Sequence, residues 1–105
     1  MALTRNFKET VQKRVAADSK FRKALLREAV ERMLAGDVET GKAILRDYIN
    51  ATIGFEKLST ATGSSTKSLM RMFGPSGNPQ AKNLFAVISH LQKKTGVKLH
   101  LANVH

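Results

Sequence analysis

The stretch Phe55-Glu56-Lys57-Leu58-Ser59-Thr60-Ala61-Thr62-Gly63-Ser64-Ser65-Thr66-Lys67-Ser68-Leu69-Met70-Arg71-Met72-Phe73 decides the fold. Leu58 faces a core, Ser59 is small where a second helix crosses closely, and Gly63 supplies the left-handed conformation that turns the chain. Ser64 or Ser65 caps the second helix, which Leu69 and Met72 anchor from beneath. With Leu69, Met72 and Phe73 inward, helical geometry turns Ser65, Thr66, Lys67, Met70 and Arg71 outward. The pattern is that of a helix-turn-helix with a short, polar, basic exposed face. An interior helical hairpin with a solvated face shares the same spacing.

On the N-terminal side three amphipathic helices are expected. Phe7, Val11 and Val15 recur every four residues, predicting a helix from about Asn6 to Ala17. Asp18 and Ser19 can cap a second helix whose apolar set is Phe21, Leu25, Leu26, Ala29, Val30, Met33 and Leu34, ended by Gly36. Asp37 caps a third, with Ile44, Leu45, Tyr48 and Ile49 inward and Lys42, Arg46 and Asp47 outward, breaking at Ile53-Gly54. On the C-terminal side Asn78-Pro79 predicts a helix start, with Leu84, Phe85, Ile88 and Leu91 as its buried face. Val97, Leu99 and Leu101 then alternate with Lys98 and His100, which predicts a short edge strand. The fold class is therefore all-α, about six helices plus a short C-terminal β-strand. Within a single domain over 1–105, residues 1–36 form a helical extension, 37–96 the helix-turn-helix core and 97–105 a strand or tail.

Charge narrows the partner. The 105 residues carry 18 Lys or Arg against 8 Asp or Glu, a formal charge of +10 that makes polyanions the first partners to consider. Residues 53 to 105 hold seven bases and the single acid Glu56, whereas residues 1 to 52 hold 11 bases and seven acids. An apolar fraction of 42% fits a folded domain rather than a disordered basic tail. The absence of Trp and the single Tyr supply no stacking platform for single strands, and no aromatic pair, GXXG frame or Arg-rich tract suits RNA. Absent Cys and three scattered His argue against metal sites. Gly-Pro-Ser-Gly-Asn-Pro at 74–79 lacks the ending of a phosphate-binding loop, no Ser sits in a nucleophile elbow, and His90 and His100 share no carboxylate. No enzyme activity and no cofactor are expected. The start lacks an apolar leader and no run of about 18 apolar residues occurs, so a soluble, cytoplasmic protein with no membrane partner is expected.

The exposed basic face suits a major groove of double-stranded DNA. Arg71 and Lys67 match guanine O6 and N7, Ser65 and Thr66 can reach bases or phosphates, and Met70 can touch a thymine methyl. Lys57, Lys82 and the helix N-terminus after Asn78 would sit near phosphates and fix register.

Leu58-Ser59 followed by Gly63, Leu69 and Met72, then Gly77-Asn78-Pro79 and a closing helix, resembles the Cro/CI-type repressor domain over residues 40 to 96. Ser59 and Phe55 depart from its usual pattern, which commonly has Ala after the Leu and a polar residue opening the first helix. The wider frame, Leu3-Thr4-Arg5-Asn6-Phe7-Lys8-Glu9-Thr10, Asp37-Val38-Glu39-Thr40-Gly41 and Asn50-Ala51-Thr52-Ile53-Gly54-Phe55, resembles the addiction-module antidote proteins, HigA-like antitoxins. That resemblance implies an operator-binding autorepressor that neutralises a small RelE/ParE-superfamily toxin. A homodimer on a palindromic operator is expected. A free-standing phage-type repressor, or a protein-only inhibitor or scaffold, are the alternatives. The second helix interleaves Arg22, Lys23, Arg27 and Arg32 with Glu28 and Glu31, including the Arg27–Glu31 pair at a spacing of four. Such a surface is solvated or serves a partner; Phe21, Leu25, Glu28 and Glu31 are the candidate dimer or toxin contacts.

Overall fold

The computed structural model describes residues 5–75 and 77–100. Six helices follow in order: α1 (Arg5–Ala17), α2 (Ser19–Leu34), α3 (Val38–Ala51), α4 (Gly54–Thr62), α5 (Thr66–Met72) and α6 (Ala81–Thr95). The side chains of Phe7 and Val11 lie outside the described residues; Val15, the third member of their set, is buried.

Short polar side chains set the boundaries. Asp18 accepts hydrogen bonds from the Lys20 and Phe21 amides at 3.0 and 3.2 Å and so starts α2, while Asp37 accepts from Thr40 at 3.4 Å and starts α3. Between them Gly36 is left-handed, one residue beyond the Ala35 cap of α2. The Arg22 guanidinium donates back to the Val15 and Ala16 carbonyls, closing the end of α1 and tying it to α2.

α3 is the axis of the fold, with α1 and α2 against one side and α4 joined to it by a tight turn. One core runs from Leu26 and Ala29 through Leu45, Tyr48 and Ile49 to Phe55, Leu58, Leu69, Phe73, Val87, Ile88, Leu91 and Val97. Tyr48 is fully buried, and its hydroxyl donates to Thr95 Oγ1 at 2.7 Å; the Thr95 hydroxyl in turn donates to the Leu91 carbonyl. That relay gives the only polar atom of Tyr48's ring end a partner and joins α3 to the end of α6. Burial pushes the Tyr48 phenol above its ordinary value of 10.0, outweighing the Thr95 bond and the Arg22 charge, which both lower it.

Five sequence expectations are corrected. The segment after Gly96 forms no strand among the described residues. Val97 is buried in the core and the Leu99 amide donates to Gln92 Oε1 at 2.7 Å, so the alternation marks a coil closing over α6. Leu101 lies outside the described residues. Lys42, expected outward, is 1% exposed, because its ammonium finds a carbonyl on a distant loop. Phe85, expected inward, is 61% exposed, and Val87 takes its place. At about 100° per residue, Leu84, Val87, Ile88 and Leu91 fall within about 60° of one line, whereas Phe85 falls about 100° away. Leu34, expected inward, is the last residue of α2 and is 68% exposed. Finally, α6 begins at Ala81 with Gln80 as its cap, not at Asn78-Pro79; residues 77–80 are non-helical and cross from α5, with the Gly77 carbonyl held by Lys42.

Asp18→Ala should cost about 1 kcal/mol of stability by urea unfolding, the usual worth of an N-cap. Tyr48→Phe should cost about 1 kcal/mol through the lost bond to Thr95. Because the folded phenol is raised, its contribution is fully present below pH 10.0 and is lost as pH rises from there through the folded value. The Phe variant should lack that component of alkaline destabilisation, measured as the difference between the two unfolding curves across that range.

Candidate nucleic-acid interface

Gly63, at φ +79°, caps α4, and its amide donates to the Ser59 carbonyl at 2.9 Å. A side chain with a Cβ would be strained there. The Ser59 hydroxyl donates to the Ser64 carbonyl at 2.6 Å and the Thr62 hydroxyl to the Leu58 carbonyl at 2.9 Å, so hydroxyls on α4 fix the turn. Ser59, expected only to be small, therefore also supplies a hydrogen bond that Ala would not. Of the two candidate caps for α5, Ser65 is the one used: its backbone is extended and its Oγ accepts from the Ser68 amide at 3.1 Å.

From beneath, Leu69 and Phe73 are buried and Met72 packs partly on the core, with the Phe55 and Phe73 rings 6.2 Å apart and tilted by 55°. Phe55, where the repressor pattern has a polar residue, therefore serves as an aromatic wedge between α4 and the end of α5. Ser65, Lys67, Met70 and Arg71 are exposed and Thr66 is half-buried. Met70 keeps 56% of its surface, an apolar spot among hydroxyls and cations. Lys57, Asn78 and Lys82 are exposed as well.

Two clefts sort these residues. A cleft of about 310 Å³ brings Arg71 and Asn78 together and adds Ser64, Ser68, Gln80 and Asn83. Its side chains can donate and accept hydrogen bonds, as contacts to phosphates and base edges require. Gln80 and Asn83 escape the sequence reading because it begins the last helix too early; Asn83, three residues after the Gln80 cap, follows once α6 starts at Ala81, whereas Ser68 belongs to α5. Lys57 instead lines a second cleft of about 390 Å³ with His90 and Lys94, between α4 and α6. Lys67, Met70 and Lys82 line neither. The electrostatics of α4 to α6 are one-sided, with Lys57, Lys67, Arg71, Lys82, Lys93 and Lys94 against Glu56 alone.

The candidate partner contacts on α2 lie differently. Phe21 is half-buried, with the Arg14 guanidinium 4.6 Å from its ring centroid, and Leu25 packs partly on the core. Glu28 is exposed and pairs with Arg32 at 3.1 Å, whereas Glu31 is exposed. Near α2, the large exposed apolar side chains are Leu34 and Val38, at the turn between α2 and α3.

Among the described residues no group of three or more potential metal ligands comes together, and no helix is long and apolar enough to cross a membrane. Comparison with known protein families, characterised proteins and solved structures returns no match to this chain.

Proposed function

We propose that this chain is a sequence-specific DNA-binding repressor acting as the antitoxin of a type II toxin–antitoxin pair. The observation that carries the DNA-binding half is the exposed face of α5. Ser65, Lys67, Met70 and Arg71 stand out from a helix whose opposite side is sunk into the core through Leu69 and Phe73, and the adjoining polar cleft extends that face to Asn78 and Asn83. A short helix anchored in this way and presenting cations and hydroxyls is built for groove entry.

On this reading Arg71 and Lys67 read guanines in the major groove, Met70 meets a thymine methyl, and Lys57 and Lys82 hold phosphates. Repression is occupancy of the operator by a homodimer, and neutralisation is stoichiometric burial of the toxin's active surface, with no bond made or broken. The antitoxin half rests on the resemblance of the N-terminal and central segments to addiction-module antidote proteins. A repressor without a toxin is the outcome if DNA binding holds and the product of the adjacent gene is neither toxic nor bound.

Replacing Lys67 and Arg71 together by Ala should weaken binding to the DNA upstream of the gene by about 10- to 100-fold, with helical content and melting unchanged. A gel shift and a circular-dichroism melt check both; unaltered affinity removes α5 from the interface. Wild-type affinity should fall linearly on a log–log plot against salt, because binding releases condensed counterions.

A further inference from the structure

Lys42 is the one charged residue among those described that lies in the core, with 1% of its surface exposed. Its ammonium, on the first turns of α3, donates to the Gly77 carbonyl at 2.8 Å and pairs with Glu39, itself 63% exposed, at 3.0 Å. A methionine would fill the same space with no ammonium to desolvate, so packing alone does not account for a lysine there.

The position of Gly77 supplies an account. Its amide donates to the Gly74 carbonyl at 3.1 Å, and the Gly74 amide donates to the Arg71 carbonyl at 3.0 Å. A Cβ on Gly77 would overlap the carbonyl oxygens of Arg71 and Met72, so the loop lies directly on the last turn of α5. Immediately after it come Asn78, Gln80 and Asn83, which share a cleft with Arg71. The hydrogen bond from α3 thus joins the Gly74 bonds and the packing on α5 in setting where the start of α6 sits relative to the end of α5.

We propose that Lys42 is a positioning residue for nucleic-acid recognition: by holding the Gly77 carbonyl it aligns Asn78, Gln80 and Asn83 with Arg71. This rests on the reading of α5 as the DNA-facing helix. Lys42 touches no nucleic acid itself; it acts through the loop.

The test uses the full chain, its Lys42→Met variant and two labelled duplexes of equal length, one from upstream of the gene and one of random sequence, over a salt series. The variant should lose about tenfold in affinity for the upstream duplex, the scale of one misaligned base contact. Its affinity for the random duplex and its salt slope should stay at the wild-type values, since no phosphate contact is removed. A merely structural role would instead lower both affinities in proportion to the unfolded fraction, and a direct phosphate contact would make the slope shallower by about one charge. Either result overturns the proposal, as does wild-type discrimination retained by the variant. Should Lys42→Met fail to fold, Gly77→Ala displaces the same loop while leaving Lys42 in place. It should show the same loss of discrimination, and its absence overturns the proposal. A wild-type chain without preference for the upstream duplex overturns the DNA reading and the role of Lys42 together, whereas preference kept in the variants overturns the role of Lys42 alone.

Discussion

α3 ties this fold together: it packs against α1, α2 and α4, and its buried polar side chains must find partners on α6 and the loop before it. Tyr48 illustrates the constraint: a phenol sunk completely in the core needs a partner for its hydroxyl, and Thr95, at the far end of α6, provides it. The same helix carries Lys42 to the loop before α6 and, through Leu45 and Ile49, holds α2 in the common core. α6 is thus fixed near both ends by α3, at Thr95 directly and ahead of Ala81 through Gly77. α5, only seven residues long, has little intrinsic stability and takes its orientation from this frame.

What was legible in the sequence, and what was not, follows from the range of the interactions. Asp18, Asp37, Gly63 and Ser65 act within four residues of themselves, and each does what its residue type and place predict. The inward placement of Leu58, Leu69 and Phe73 follows from helical periodicity in the same local way. Lys42 and Phe85 depart from expectation because their residue types, not their places on the helix, suggested solvent and core. Lys42 lies three and seven residues before Leu45 and Ile49, on the face that α3 buries, and the folded loop at Gly77, 35 residues away, offers its ammonium a partner. Phe85 lies about 100° from the line of Leu84, Val87, Ile88 and Leu91, so its exposure follows the period of α6. The missing strand has a similar cause, since alternation over a few residues fits any extended segment whose every second side chain meets a core, as Val97 does. For the candidate interface, the face of α5 was readable from local spacing, whereas the contribution of Gln80 and Asn83 was hidden by the displaced start of α6.

The distribution of charge takes on a sharper meaning once partners are assigned. Acids in the N-terminal half are engaged within the chain: Asp18 and Asp37 cap helices, Glu28 pairs with Arg32, and Glu39 pairs with Lys42. These groups do local structural work, and of the candidate partner contacts Glu28 is already paired within its own helix. In the C-terminal half the excess of base is greater, because seven bases share a single acid. Keeping like charges on one small surface raises its electrostatic self-energy, and a polyanion lowers it. The net charge alone points only to some polyanion. With Lys67 and Arg71 carried on a helix whose other side is buried, part of the excess charge acquires a direction, and it is this direction, not the net charge, on which the proposal of a grooved duplex as partner rests.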